Sequence, residues 1–323
     1  MPDRLVRAGV AMEVYQLPDG APPQPLSHVV LTVGSFDGVH VGHQRIIRKV
    51  VEDAHRVGGS ASLLTLSPHP RQYFAPQHAP NLLTSDATKS RLCAELGLDA
   101  LFFLRFDDVT ANLEPEAFIQ EVLVRQCAVK ELVVGHDFRF GKRATGDFDD
   151  LVRAGQQLGF LVTEVPPVFV NGERVSSTLV RERLLQGELG EAEAFLGRRY
   201  SLVGRVTSGR GIGITLGFPT ANIHPHHSAI PAQGVYIAEA IVEGHRYPAA
   251  VNIGIAPTIR HEDVVVEAHL LDFDGDLVDR LIEIEFIRRL RPEQKFDSRE
   301  QLVKKIYEDI VVVRDYFDHK PRG

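Results

Sequence analysis

Val29-Val30-Leu31-Thr32-Val33-Gly34-Ser35-Phe36-Asp37-Gly38-Val39-His40-Val41-Gly42-His43 decides the fold. Its first five residues are apolar or β-branched, the composition of a buried strand. After it, Ile46, Ile47, Val50, Val51, Ala54 and Val57 recur at helical spacing until Gly58-Gly59 stops the run, and a second apolar strand spans Ala61 to Leu66. Strand, glycine-bearing turn, helix and strand make a βαβ crossover of the usual ~30 residues. The first part of the chain is therefore expected to be a parallel sheet with covering helices, a Rossmann-like α/β domain.

The turn is suited to phosphate. Gly38 and Gly42 let backbone approach a ligand where a Cβ would clash, and the helix beginning near His43 offers free N–H groups and the positive end of its dipole. His40 and His43 are three residues apart, so both rings can face that point and donate to phosphate oxygens. The pattern is neither GxxxxGKS/T nor GxGxxG, which disfavours a P-loop and a dinucleotide site. On the residues alone, two histidines that cap a helix or lie on the surface remain an open reading.

Length and composition set the bounds. A chain of 323 residues, 44% hydrophobic, is expected to form two domains. No run approaches the ~18 apolar residues of a membrane span. With no signal-type opening, the expected location is the cytoplasm. Cys93 and Cys127 are solitary and read as reduced packing residues. A net charge of −7 without Lys/Arg clusters disfavours a dedicated nucleic-acid binder, whereas small anions carried with a divalent cation fit. The expected partners are small molecules, with no nucleic acid and no membrane, and the expected state is a monomer or weak homo-oligomer.

Residues 1–11 lack periodicity, so either Met12 is the expected start or these residues are a loose extension. Gly20 to Pro25 reads as an extended lead-in. Ser67-Pro68-His69-Pro70 ends the second strand in a turn at which His69 either touches a ligand or serves the turn alone. Helices are expected over Lys89 to Leu96 and Pro115 to Val124, and strands over Leu101 to Phe103, Leu132 to Val134 and Val162 to Val165. Between the last two strands, Gly135-His136-Asp137-Phe138-Arg139-Phe140-Gly141 is a charged, aromatic loop of the kind that carries function, with core packing of the two Phe as the alternative. Then Arg174-Val175-Ser176-Ser177-Thr178-Leu179-Val180-Arg181 supplies helix-cap hydroxyls and, one turn in, a guanidinium able to clamp phosphate.

At Leu196-Gly197-Arg198-Arg199 alternation of strands and helices gives way to short runs, Val235 to Ala240, Ala249 to Ile253, Val264 to Leu271 and Ile282 to Phe286. These read as an antiparallel sheet or barrel, and the expected domains are 12–197 and 198–323. Ser298 and Gln301 form a capping box for a terminal helix with an apolar stripe of Leu302, Ile306, Ile310 and Val313. Gly204, Gly209, Gly211, Gly213 and Gly217 lead into Phe218-Pro219-Thr220-Ala221-Asn222, a phosphate cradle or a plain loop, in which Thr220 and Asn222 offer oxygens to magnesium or its waters. Glu267 stands in the otherwise apolar Val264 to Leu271 strand, where a carboxylate is costly unless paired or used. The two readings are a salt bridge and a general base that accepts a proton from a substrate hydroxyl. His224, His226 and His227 read as a solvated loop, since nothing nearby completes a ligand set.

Two family resemblances rest on these stretches. His40-Val41-Gly42-His43 with Ser176-Ser177-Thr178-Leu179-Val180-Arg181 resembles the HxGH and ISSTxxR elements of nucleotidyltransferases. Gly217 to Asn222 resembles the GFPTAN motif of riboflavin kinases, Glu267 to Phe273 their acidic strand, and Arg291 to Phe296 their RxExKF tail. In this order, and from about Met12 to the last helix, the chain resembles the prokaryotic riboflavin kinase/FMN adenylyltransferase (FAD synthetase) family. The resemblance implies that riboflavin and ATP give FMN in a C-terminal barrel, and that FMN and a second ATP give FAD and pyrophosphate in the α/β domain. It implies Glu267 as kinase base, Thr220 and Asn222 as holders of Mg-ATP, and Gly211, Gly213, Gly217 and Pro219 as ATP-binding. For adenylyl transfer it implies His40, His43 and Arg181, with Gly34, Phe36, Asp37, Gly38, Gly42, Ser177 and Thr178 on ATP and His69, Asp137 and Phe138 on the flavin.

Ile212, Ile214, Ala256 and Val278-Asp279 depart from the family pattern, which bears on ATP binding by the kinase part. Two rival readings remain: an FMN adenylyltransferase with a non-catalytic flavin-binding barrel, and a flavin-binding regulator, against which the absence of a helix-turn-helix or basic stripe speaks.

Overall fold

The computed structural model describes residues 3–7, 10–20, 22, 24, 26–77, 79–208, 218–225, 228–257 and 262–319. The chain divides into two compact units, Met1–Pro80 with Thr84–Ser177, and Asn81–Leu83 with Thr178–Gly323.

In the first unit the strands are β1 (Asp3–Arg7), β2 (Val10–Leu17), β3 (Val29–Val33), β4 (Ser60–Ser67), β5 (Ala100–Arg105), β6 (Val129–Gly135) and β7 (Leu161–Val165). They form one sheet in the order β1-β2-β5-β4-β3-β6-β7, parallel except for β1 at the edge. Strand β1 corrects the expectation of a loose extension: its backbone pairs antiparallel with β2 from Asp3↔Val14 to Arg7↔Val10. Pairing with a neighbour settled that segment, which no periodicity announced.

The helices are α1 (Val41–Val57), α2 (Pro70–Phe74), α3 (Asp86–Glu95), α4 (Asp108–Ala111), α5 (Pro115–Ala117, continuing as a wider-pitched turn over Phe118–Gln126) and α6 (Phe148–Leu158). Helix α1 ends where Gly58 adopts φ 62°, as its sequence predicts. Helix α3 starts three residues before the expected Lys89, because Ser85 caps it by accepting from Thr88 N–H. Helix α6 was not read from the sequence, although Asp147 and Asp150 form a reciprocal capping box.

The central strands are apolar on both faces because both faces are covered. Alternate residues serve opposite cores: Val30, Leu63 and Leu101 pack with Ile47 and Val50 of α1, while Leu31, Leu64 and Phe102 pack with Phe118 and Leu123. Order reverses at β3, flanked by β4 and β6, and the carboxyl ends of such strands leave a crevice for a ligand.

The short pair β8 (Phe169–Val170) and β9 (Glu173–Arg174) precedes α7 (Ser177–Gln186) and α8 (Leu189–Leu196). The second unit is built on a closed antiparallel barrel, order β10-β11-β14-β13-β12-β15. Its strands are β10 (Ser201–Thr207), β11 (Ala221–His224), β12 (Gly234–Val242), β13 (His245–Pro257), β14 (Glu262–Leu270) and β15 (Leu281–Arg291). Val206, Ile223, Val251, Ile253, Val266, Ala268 and Ile284 fill its interior. Gly204 is a packing residue, not part of a phosphate cradle: a Cβ there would lie 2.4 Å from Ile223 Cγ2 and 2.6 Å from the His224 carbonyl oxygen. Helix α9 (Arg299–Asp318) lays Val313 and Ile310 against Ile237 and Leu271 on the outer face. Ser298 caps α9 by accepting from Gln301 N–H, but Gln301 accepts from Asp297 N–H, one residue earlier than a strict capping box.

No described helix is long and apolar enough to cross a membrane. Cys93 and Cys127 are buried and unpaired, and burial pushes both thiols up to about 12. Leu101, fully enclosed in the first sheet, is expected to cost about 2–5 kcal/mol when replaced by Ala, read as a lower denaturation midpoint of the first unit.

Candidate active sites

The first site lies at the carboxyl ends of β3 and β6. The turn after β3 is tightly folded: Phe36 (φ 46°), Gly38 (φ 85°) and Val39 (φ 41°) are left-handed, a conformation that a β-branched residue avoids. Polar contacts from the segment before α3 hold it. Asp37, only 2% exposed, accepts from Thr84 N–H at 3.0 Å and from Thr84 Oγ1 at 3.2 Å, while Thr84 Oγ1 accepts from Gly38 N–H at 3.0 Å. Ser177 Oγ donates to the Asp37 carbonyl oxygen at 2.8 Å. The structure thus joins two stretches of sequence, one around His40 and one around Ser177, that lie 140 positions apart between Asp37 and Ser177.

His40 caps α1, its Nδ1 accepting from His43 N–H at 3.3 Å. In a neutral His40 this leaves Nε2 as the proton-bearing nitrogen. The two rings stack with centroids 3.6 Å apart, and His43 also meets Phe36 at 4.8 Å. A Cβ on Gly42 would come within 3.1 Å of the His40 ring, so this position needs glycine for closeness. His43 is held well below its usual 6.5 by burial first, then by His40 and Lys89, and its Nδ1 has no partner among the described residues. One motif therefore both caps α1 and stacks the two imidazoles.

Gly34, Phe36, Gly42, His40, His43, His69, Asp137, Phe138, Ser176 and Ser177 all line one cavity of about 740 Å³. Asp37 and Gly38 are not on its wall; they brace the turn from below. His69 caps α2 by accepting from Arg71 N–H at 3.1 Å and also lines the cavity. Phe140 is buried core, and Phe138 stacks on it at 5.7 Å from the cavity side. Asp137 pairs with Arg174 at 2.6 Å. Thr178 and Arg181 follow Ser177 in α7 but belong to the second unit, where Arg181 Nε donates to the Asn81 carbonyl oxygen at 2.7 Å. Sequence reasoning missed Thr84, Thr65 and Lys89, whose short polar or charged side chains show their role only through contacts.

The second site lies on the outside of the barrel, facing the first half of α9. Glu267 stands directly opposite Asn222 of β11 and Asn252 of β13, so the three side chains share one face. Because Val266 and Ala268 point inward, Glu267 points out, toward a cavity of about 770 Å³ that Thr220, Asn252, Leu302, Ile306 and Ile310 also line. Burial raises the Glu267 carboxyl above its usual range, and no described residue forms an ion pair or hydrogen bond with it. The salt-bridge reading finds no support among the described residues.

Asn222 is not on the cavity wall but adjoins Glu267 in the ladder. His269 Nδ1 donates to the Pro219 carbonyl oxygen at 2.8 Å, fastening the segment that carries Thr220 to β14. Arg291 clasps Asp309 of α9 at 2.7 and 3.0 Å and lies 5.9 Å over Phe296. Glu293 closes over Gly254, where a Cβ would meet its Oε1 at 2.3 Å. Asn252 and His269 were given no role in the sequence, and Glu293 entered only as the acidic residue of the Arg291 to Phe296 tail. Gly209, Gly211, Ile212, Gly213, Ile214, Gly217, His226 and His227 lie outside the described residues, and so does the side chain of Ala256. No cluster of three or more His, Cys, Asp or Glu able to hold a metal occurs among the described residues.

Family models match both parts of the chain: FAD synthetase over residues 23–179 and riboflavin kinase over 196–317. The chain is 38% identical over 294 residues to the bifunctional riboflavin kinase/FMN adenylyltransferase of Escherichia coli K12, covering 91% of this chain and 94% of that protein. This chain belongs to the bifunctional riboflavin kinase/FMN adenylyltransferase family. The Pseudomonas fluorescens member is 38% identical over 286 residues, 88% of this chain and 92% of its own. A crystal structure described as a macrolide-efflux protein from Streptococcus pneumoniae superposes with a TM-score of 0.82 at 28% identity, over 93% of this chain and 98% of that one. The first site falls in the FAD synthetase match and the second in the riboflavin kinase match.

The raised Glu267 carboxyl has a consequence for stability. A folded pKa above the unfolded 4.5 means that folding disfavours the charged form, so the carboxylate weakens the fold at neutral pH and ceases to do so as pH falls below about 4.5. Glu267→Gln is therefore expected to raise the barrel's thermal midpoint at pH 7, with the gain shrinking as the pH falls toward 4, as differential scanning calorimetry can follow.

Proposed function

We propose that this chain phosphorylates riboflavin to FMN in its barrel and transfers AMP from a second ATP to FMN in its α/β unit, releasing pyrophosphate and completing FAD. The observation that carries this reading is that each compact unit holds its own cavity, one walled by paired imidazoles at a helix N-terminus and the other by a carboxylate with no ion-pair partner among the described residues.

In the α/β unit an FMN phosphate oxygen attacks the α-phosphorus of ATP as the bond to pyrophosphate breaks. His40 and His43 donate N–H groups to the phosphate oxygens on which charge builds, the N-terminus of α1 adds its dipole, and no covalent enzyme intermediate is needed. Gly34, Phe36 and Gly42 shape the wall, Asp37 and Gly38 fix the turn, and Ser177, Thr178 and Arg181 are read as ATP-binding from their signature. His69, Asp137 and Phe138 are assigned to the flavin, with Phe138 offering a ring face.

In the barrel, Glu267 orients the riboflavin 5′-hydroxyl and takes its proton as the γ-phosphoryl group transfers. A carboxyl raised by burial is a better proton acceptor than an exposed one. The oxygens of Thr220 and Asn222 are hard donors beside a carboxylate, a set that fits Mg²⁺, which would neutralise charge on the ATP phosphates when bound. Gly211, Gly213, Gly217 and Pro219 are assigned to ATP. We place the functional boundary at 197/198, where helices give way to barrel strands, and the enzyme in the cytoplasm with its ATP.

Single substitutions separate the two steps. Glu267→Ala is expected to lower FMN formation by about 10²–10⁴-fold and spare FAD formation from supplied FMN. His43→Ala is expected to lower FAD formation by about 10²–10³-fold and spare FMN formation. Chromatographic resolution of FMN from FAD reads both. Equal loss of both products in either folded variant counts against separate sites, and a wild-type chain that never yields FMN favours the adenylyltransferase with an inert barrel.

A further inference from the structure

Beneath the first site lies a charge that the mechanism above does not use. Lys89 is 5% exposed. It stands in the first turn of α3, after the Ser85 cap, where the helix dipole opposes a positive charge. A buried ammonium in that position is unfavourable twice over, by desolvation and by the dipole. Its bonds are few. Nζ donates to Thr65 Oγ1 at 3.2 Å, and Asp86, itself half exposed, lies 3.8 Å away. Thr65, fully enclosed on β4, in turn donates to the Ser35 carbonyl oxygen at 3.2 Å, inside the turn that carries His40 and His43. The residue therefore does little for stability that a Met or Leu would not do better.

The segment carrying it already serves this turn, since Thr84, five residues earlier, holds both Asp37 and Gly38. The ionisable groups whose charge Lys89 shares are Asp86 and Cys93 on its own helix, Asp37 in the turn and His43 on α1; His43 in turn faces His40. Cys93 is a neutral thiol at physiological pH, because burial pushes it up to about 12. Burial lowers Lys89, and Asp86 and Asp37 oppose that shift.

We propose that Lys89 is a positioning residue for adenylyl transfer: its buried ammonium, hydrogen-bonded to Thr65, which itself holds the Ser35 carbonyl oxygen, sets a fixed positive charge beneath the Gly34–His43 turn that carries the stacked imidazoles. Two stacked imidazoles 3.6 Å apart cannot both be charged cheaply, and the positive group beneath them adds to the two larger causes, burial and His40, in favouring a neutral His43. A neutral ring donates one N–H without holding a proton that pyrophosphate could carry away. The positive charge that favours the anionic substrate then comes from a side chain that exchanges no proton during the reaction. This inference rests on the adenylyltransferase reading of the first site.

The test is a histidine-selective NMR titration of the full chain without nucleotide, with His43 assigned through His43→Gln, alongside the pH profile of kcat/KM for FAD formation from FMN. In the wild-type chain His43 is expected to stay neutral well below 6.5. Lys89→Met, which keeps length and packing, is expected to move the His43 titration upward. The acid limb of kcat/KM moves with it, and the rate on that limb falls by about tenfold. Lys89→Arg, which keeps the charge, restores the limb. A folded Lys89→Met chain with an unmoved His43 titration overturns the proposal even if its rate has fallen. Should Lys89→Met fail to fold, the wild-type titration and Lys89→Arg decide: His43 protonating near 6.5, or an acid limb displaced with the charge retained, overturns it. A wild-type chain that forms no FAD from FMN sinks the adenylyltransferase reading instead, while the imidazole titration still answers for Lys89.

Discussion

The first unit depends on the Asp37 carboxylate and Thr84. A turn with three left-handed residues, two of them Phe36 and Val39, stores strain of about 1–3 kcal/mol per non-glycine position and persists only if its surroundings over-determine it. Asp37 accepts two bonds from Thr84, and Gly38 returns one to the same hydroxyl. These are buried polar groups with their partners supplied, so breaking one strands the others. The strain aims His40 so that it both caps α1 and stacks on His43, and it leaves the helix N-terminus open to a ligand. Packing of Val30, Leu63 and Leu101 under α1 keeps the strand ends rigid enough for this to matter.

The barrel solves a different problem. Its interior is filled by alternating Val, Ile and Ala, leaving no room for a substrate inside, so the site forms on the outer face, where Glu267, Asn222 and Asn252 fall at one register. A one-residue slip would turn all three inward. Beside this site, α9 covers an apolar patch of the barrel around Ile237 and Leu271 through Ile310 and Val313. The clasp between Arg291 and Asp309 fixes the start of that cover, and its first half, with Leu302 and Ile306, becomes a wall of the cavity. The terminal helix thus does structural and functional duty with one stripe of side chains.

Much of this was legible in the sequence, for identifiable reasons. Residues whose chemistry conflicts with their surroundings announced themselves: two His beside glycines after a buried strand, hydroxyls at a helix start, and a carboxylate amid Val and Leu. The periodicities of α1 and α9 and the apolar runs of β3 to β6 gave the elements to within a few residues. What stayed hidden depends on partners distant in sequence. Thr84 looks like any residue before a helix until Asp37 is beside it. Gly204 looks like one more glycine of a loop until β11 closes on it. Strand β1 has no pattern of its own and exists through its pairing with β2. Lys89 read as an ordinary helix start, because α3 is polar nearly all round and its buried side, with Thr88, Lys89 and Ser90, carries no apolar stripe to mark it.

One physical cause, desolvation, tunes both sites in opposite directions. It lowers His43 and raises Glu267, and each shift moves the group toward its neutral form. A neutral imidazole can donate a hydrogen bond to phosphate without surrendering a proton, and a carboxylate made reluctant to stay charged accepts one readily. Water is the competitor in both cases: it would restore ordinary proton affinities and would also take the place of the hydroxyl or phosphate nucleophile. The partly buried cavities therefore set chemistry as well as shape, and the absence, among the described residues, of compensating partners around His43 Nδ1 and Glu267 is the stability given up for it. Natural selection tolerates such unpaired groups where a substrate supplies the missing partner, which is the argument for treating them as the working atoms of each site.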